Sequence, residues 1–197
     1  MDALQNLFNR RSVRDFTAQP IEEEKLHRIL EAGMSGPCCV NARDWSFIVV
    51  TDREKLLEMA EANGRPAQPL KKAAAAILIC GDLERALPTA KDYWIIDGAI
   101  AVQNMTLCAD ALGLGSVWLG TWPQMDRVEK QAALFNLPET IVPHSALALG
   151  YPAKENKEPR ESRYEENRVH FEKWIKRRTL PRWAASFSHA LLCSVPS

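Results

Sequence analysis

Residues 92–120 read DYWIIDGAIAVQNMTLCADALGLGSVWLG, a long apolar segment closed by glycines and followed at once by a β-prone run. Ile95, Ile96, Ala99, Ile100, Val102, Met105, Leu107 and Ala109 spread widely around a helix predicted over Asp92 to Leu112. A helix that is apolar on most sides lies at the centre of a molecule or at a subunit contact. Gly113-Leu114-Gly115 stops it, and Ser116 to Leu119 is predicted as a short strand. The glycines make GxG rather than GxGxxG, and they follow a helix where a dinucleotide fingerprint follows a strand. No Rossmann site is predicted, although small residues here let a backbone N–H approach a planar ring.

Outward from this unit the chain alternates helices and strands. Residues 2–9 and Ile21 to Ala32 are predicted helices, the second with Glu22, Glu23 and Glu24 in its first turn and ending at Gly33 to Pro37. Trp45 to Thr51 reads as a strand, Asp52 as the N-cap of a helix over Arg53 to Ala62, and Asn63 to Pro69 as a turn. Ala73 to Cys80 is continuously apolar, which suits a strand buried on both faces, and Gly81-Asp82 ends it. A helix over Met125 to Phe135 and a strand over Ser145 to Gly150 follow. Residues 153–168 are polar and belong to a surface, Val169 to Arg178 reads as a short amphipathic helix, and Leu180 to Ser197 turns apolar again. One domain of interleaved helices and strands around a small sheet is expected.

The composition agrees with a globular chain. Its 197 residues are 46% hydrophobic and 25% charged, and Lys+Arg and Asp+Glu number 25 each. That length buries about 70% of the unfolded surface without disulfide staples. Zero formal net charge argues against nucleic acid or an anionic membrane as partner, since both favour a cationic excess. The five cysteines form no CxxC pair, and the four histidines (His27, His144, His170 and His189) are scattered without metal-like spacing, each reading as a surface or cap residue. No metal site is predicted. With no apolar h-region at the start and no apolar run long enough to span a bilayer, a cytoplasmic protein is expected.

Three segments are candidates for chemistry. In Arg10-Arg11-Ser12-Val13-Arg14, guanidinium groups and a hydroxyl within five residues suit a phosphate, although alone such a pentamer reads as a solvated basic turn. Lys157, Arg160 and Arg163 form a second basic group far off in sequence, read alone as a solvated loop. Ser35-Gly36-Pro37-Cys38-Cys39-Val40-Asn41 offers small residues that admit a flat ligand, or simply a tight helix-to-strand connection. The third is Gly113 to Gly120. GxSxG, HExxH and GxxxxGK[ST] are all missing, so chemistry, if there is any, must come from a bound cofactor.

Taken together these pieces resemble the nitroreductase-like family of FMN-dependent flavoproteins. The resemblance rests on residues 10–16, Gly36 to Asn41 leading into Trp45 to Val50, Asp97-Gly98-Ala99 with Gln103-Asn104, Gly113 to Gly120, Ala148 to Pro152, and Val169 to Trp174, in that order over residues 3–176. It implies an α+β fold, a three-layer α/β/α sandwich, as an intertwined homodimer with FMN at the subunit interface. Arg10, Arg11 and Ser12 would hold the phosphate with Arg160 or Arg163, and Arg14 would sit at the pyrimidine edge. Pro37, Cys38, Cys39 and Asn41 match the segment reaching the cofactor from the other subunit. Trp118, Leu119 and Gly120 match the stretch whose backbone N–H faces flavin N5, and Gln68 is placed at the ring edge. No side chain is assigned as catalytic.

The resemblance further implies NADH or NADPH as donor, a ping-pong cycle, and nitroaromatics, quinones or similar flat molecules as acceptors. The same fold with reductive dehalogenation or oxygen-dependent flavin chemistry, or a non-catalytic flavin-binding protein, are the alternatives. Cys38-Cys39 stands where the family often has small hydroxyl residues or alanine. The family domain is expected over residues 1–179, with 180–197 as a C-terminal extension.

Overall fold

The computed structural model describes residues 2–154 and 161–174. Its contacts divide the chain into a unit of Met1–Pro159 and a second of Arg160–Ser197. The first holds helices α1 (Ala3–Asn9), α2 (Glu23–Met34), α3 (Arg53–Asn63), α4 (Tyr93–Ala111) and α5 (Met125–Leu134). Its strands are β1 (Trp45–Val50), β2 (Ala75–Asp82), β3 (Gly115–Gly120) and β4 (Ile141–Gly150). These form one antiparallel sheet in the order β1-β2-β4-β3.

Alternation along the two central strands divides the core. Ile77, Ile79, Leu147 and Leu149 face one way and pack with Leu26 and Ile29 of α2 and Val102 and Met105 of α4. Ala76, Leu78, Ala146 and Ala148 face the other way, against Leu56, Met59 and Ala60 of α3 and against Leu70. Period-two side chains covered on both sides give a continuously apolar β2, here within an antiparallel sheet. The three-layer α+β sandwich implied by the sequence resemblance is the fold observed. Among the described residues, no helix is long and apolar enough to cross a membrane.

Most element ends follow local chemistry. Asp52 caps α3 as expected, its carboxylate accepting the Lys55 N–H at 2.8 Å. Gly113, at φ 77°, follows the end of α4 in the left-handed region. Elsewhere tertiary contact overrides local reading. Gly33 does not break α2 but lies within it, because a Cβ there would collide with the Met105 thioether of α4. Gly81 likewise continues β2, leaving room for the ring of Trp94. The expected turn over Asn63 to Pro69 is instead the last residue of α3 followed by a 3₁₀ segment, Arg65–Lys71.

β4 begins four residues earlier than expected, and it passes through Pro143. Ile79 pairs with Ser145 and Cys80 with Pro143, so the register shifts and His144 is the extra residue of a bulge. A proline is tolerated at such a place because no ladder N–H is needed there. The His144 carbonyl turns instead to the N–H groups of Thr121 and Trp122, at 3.3 and 3.0 Å. Nor is His144 the surface or cap residue expected: it is 6% exposed, with Nδ1 2.9 Å from Ser145 Oγ, and burial pushes its pKa down to about 4.

In the second unit, Glu166–Arg168 forms one 3₁₀ turn, and residues 169–174 are not helical, with a bend over 171–173 in place of the start of the expected helix. An amphipathic pattern alone does not stabilise a helix this short. The remainder of that helix and the 180–197 extension lie outside the described residues.

One buried amide ties the second helical layer to the end of β3. Asn63 is fully buried; its Nδ2 donates to the Gly120 carbonyl at 3.1 Å and its Oδ1 accepts from Thr121 Oγ1 at 2.9 Å. Asn63→Ala would leave the Thr121 hydroxyl without this acceptor in a dry site, so urea unfolding should show a loss of about 2 kcal/mol.

Candidate functional site

The site grows from the open edge of β3. Val13 N–H donates to the Ser116 carbonyl at 2.8 Å and Ser12 forms a parallel bridge with Ser116, so the Arg10–Arg14 segment runs alongside this strand. Two of the three candidate segments are thereby brought together. Because Ser116 turns its carbonyl outward, strand alternation turns the N–H groups of Trp118 and Gly120 to the same edge. Those of Val117 and Leu119 point to β4 instead. Leu119 is buried, whereas Trp118 is 40% exposed. Gly120 is held from both sides: its carbonyl accepts from Asn63 Nδ2 and from Arg127 Nη1, each at 3.1 Å. Above its Cα the space is open, since a Cβ built there meets no atom within 4 Å.

Arg14 lies at the end of this basic segment and lines a cavity of about 680 Å³ with Gln68, Arg65, Lys71, Lys72 and Asp15. Its volume falls in the range of small-molecule sites. Four cationic side chains against one carboxylate make it a site for an anionic or electron-rich ligand. Lys72 Nζ stands 2.8 Å from Asp15 Oδ1 and holds that carboxyl below its ordinary range. The 3₁₀ segment carries Arg65, Gln68 and Lys71 on consecutive turns, and Arg53 anchors its end by donating to the carbonyls of Leu70 and Ala73 at 2.7 and 3.1 Å.

The Pro37–Asn41 segment sits elsewhere in the chain and contributes nothing to that cavity. It leads into a strained connection: Val40, Asn41 and Arg43 have φ of 44°, 56° and 52°. For a β-branched valine this is a costly conformation, on the order of 1–3 kcal/mol, kept only where the surroundings dictate it. They do so here. Cys39 N–H donates to Asp97 Oδ2 of α4 at 2.9 Å, and the Asp44 carbonyl accepts the Asp82 N–H at 2.7 Å. Burial and then Asp97 push the Cys39 thiol above its usual range.

Asp44 closes this connection as a fully buried carboxyl whose two oxygens have no hydrogen-bond partner. Burial first, and the charge of Asp97 second, push its pKa up to about 6.

Sequence reasoning named Arg14 and Gln68 but missed Arg65, Lys71, Lys72, Asn63 and Arg127, whose local patterns read as an ordinary turn and helix surface. Arg163 is an exposed residue of the second unit, and Arg160 lies outside the described residues.

The elevated Asp44 pKa has a thermodynamic consequence with a defined sign. A proton is held more tightly in the folded chain than in the unfolded one, so this group stabilises the fold below about pH 4, and its contribution is lost as pH rises through about 6. Asp44→Asn should abolish that dependence and raise stability at pH 7 by about 2–3 kcal/mol, with little change at pH 4. Urea midpoints at the two pH values measure it.

Comparison with known proteins identifies the family of this fold. The sequence profile of the Nitroreductase family matches residues 7–80 and 66–151. A candidate NADH dehydrogenase/NAD(P)H nitroreductase from Methanothermobacter thermautotrophicus is 42% identical over 174 residues, covering 88% of each chain. The crystal structure of a similarly named protein from Parabacteroides distasonis is 35% identical, with a TM-score of 0.81 over 87% of this chain and 98% of that one. An FMN-dependent nitroreductase from Clostridium difficile is 31% identical, with a TM-score of 0.79 over 87% of this chain and 99% of its own. The profile match, the identity over nearly the whole length and the shared sandwich place this chain in the nitroreductase family.

Proposed function

We propose that this chain is an FMN-dependent oxidoreductase that takes electrons from NADH or NADPH and passes them, in a ping-pong cycle, to a flat acceptor such as a nitroaromatic or a quinone. The observation that carries this reading is the juxtaposition at the β3 edge. A basic segment bridges β3 at Ser116 and ends at Arg14 in the cationic cavity, while the open Gly120 is bonded to Asn63, two residues before the cavity's Arg65, a donor set suited to a phosphorylated, electron-accepting ring.

Bound FMN would supply the hydride chemistry, accepting two electrons at N5 and returning them to the acceptor. The chain's own residues bind and orient. Arg10, Arg11 and Ser12 hold the phosphate, in an extended segment whose backbone is fixed by Ser116. Arg14 and Gln68 meet the pyrimidine edge, where the guanidinium stabilises negative charge. Of the residues near N5, Gly120 offers the backbone N–H, since its peptide is fixed through both neighbours, while the Leu119 N–H is directed to β4. Trp118 borders the same edge.

A homodimer fits this reading. Leu4, Leu7 and Phe8 of α1 are 50–69% exposed, and Ile96 of α4 is 52% exposed. The three exposed apolar side chains carried by the one short helix α1 favour a self-contact. Pro37, Cys38, Cys39 and Asn41 would then reach the cofactor held by the partner subunit, on a connection held rigid by Asp97.

Two substitutions separate binding from folding. Arg10→Ala combined with Ser12→Ala should lose FMN on gel filtration while the far-ultraviolet circular dichroism stays unchanged; stoichiometric flavin in that variant would sink the assignment. Gly120→Ala places a methyl group in open space, so Tm should stay the same while the rate of flavin reduction by NAD(P)H falls on the order of tenfold. An unaltered rate would remove Gly120 from the site.

A further inference from the structure

A second cavity, of about 630 Å³, shares no lining residue with the cationic one. It lies between the first turn of α4, the helix α5 and the start of β4, and it too has the volume of a small-molecule site. Its walls are apolar and aromatic: Trp94, Trp122, Met125, Leu137 and Pro143.

The aromatic walls are positioned before any ligand arrives. Trp94 is 4% exposed, seated over Gly81 in space that a Cβ would fill, with the ring of His144 6.0 Å away. Trp122 is held at its backbone, whose N–H donates to the His144 carbonyl at the β4 bulge. The two indoles meet edge to face, centroids 5.2 Å apart and planes at 71°. Such a corner accepts a flat ring with little rearrangement, and the Met125 thioether suits an aromatic edge.

The charges select among flat rings. Asp92, Glu129 and Glu139 line the cavity against a single ammonium, Lys91, and all four are exposed while Trp94, Val128 and Pro143 are buried. An apolar interior with an acidic rim attracts a cation and desolvates only its ring, and indole faces add cation–π attraction.

We propose that this cavity binds a planar aromatic cation, a bicyclic ring carrying an ammonium or protonated amine, with the ring in the Trp94–Trp122 corner and the charge toward the carboxylates. The site does not depend on the flavin reading, because none of its residues belongs to the FMN site assigned above.

Calorimetric titration of the protein with three indoles of similar size tests it: tryptamine as the cation, 3-methylindole as the neutral ring and indole-3-acetate as the anion. One tryptamine should bind per chain, about fivefold more tightly than 3-methylindole at low salt, with indole-3-acetate weakest. Added salt should narrow the gap. Glu129→Gln with Glu139→Gln should bring tryptamine close to 3-methylindole. Ala132→Phe, which places a ring in the cavity from α5, should weaken all binding on the order of tenfold, as should Trp122→Ala. The affinities should be the same with and without excess FMN. Equal affinity for the three probes, binding that survives both Ala132→Phe and Trp122→Ala, or competition between tryptamine and FMN would each overturn the proposal.

Discussion

A side chain at position 115 would drive its Cβ into Val13, and the site depends on there being none. With glycine there, the N-terminal segment lies directly against β3, and the 2.8 Å hydrogen bond from Val13 to Ser116 fixes its register. That register sets Ser12 beside the strand edge and carries the chain on to Arg14 at the mouth of the cationic cavity. The same bond establishes which backbone groups of β3 point outward. A single close approach between backbones thus joins residues a hundred positions apart into one binding surface.

The sandwich behind this edge holds it still. Both faces of β2 and β4 are covered, so the sheet cannot slip by one residue without exposing an entire row of apolar side chains. Several of the buried polar groups fix a particular joint. Asn63 clamps the end of β3, Gln131 Nε2 donates to the Met59 carbonyl at 3.0 Å to join α5 to α3, and Asp97 holds the strained approach to β1. At the buried Asp44, whose two oxygens have no hydrogen-bond partner, the fold accepts a destabilising acid. A buried acid beside a strained backbone is consistent with a segment shaped for binding rather than for stability.

How much of this could be read from the chain depended on how local each cause was. The α4–β3 unit was legible because a long apolar run, a helix-ending Gly113 and the β-prone Val117-Trp118 all agree within thirty residues. The first half of β4 was not, because Pro143 argues against a strand and only its partner, the shifted register at Cys80, explains it. Gly33 and Gly81 looked like breakers, since the Met105 and Trp94 side chains that require them lie far along the sequence. The basic pentamer at Arg10 was visible but ambiguous; what removes the ambiguity is its pairing with Ser116. Arg65, Lys71 and Lys72 joined the cavity only through the 3₁₀ turns that a run with two prolines concealed. His144 looked like one scattered histidine of four, and only the bulge buries it.

The central claim is that the β3 edge and the cationic cavity beside it hold a flavin that nicotinamide nucleotides reduce. The visible absorbance spectrum of the purified protein, taken anaerobically before and after addition of NADH or NADPH, tests it most directly. The account predicts a yellow protein with the bands of oxidised flavin, bleached by at least one of the two nucleotides. A colourless protein that does not take up added FMN, or a yellow one that neither nucleotide bleaches, would contradict it.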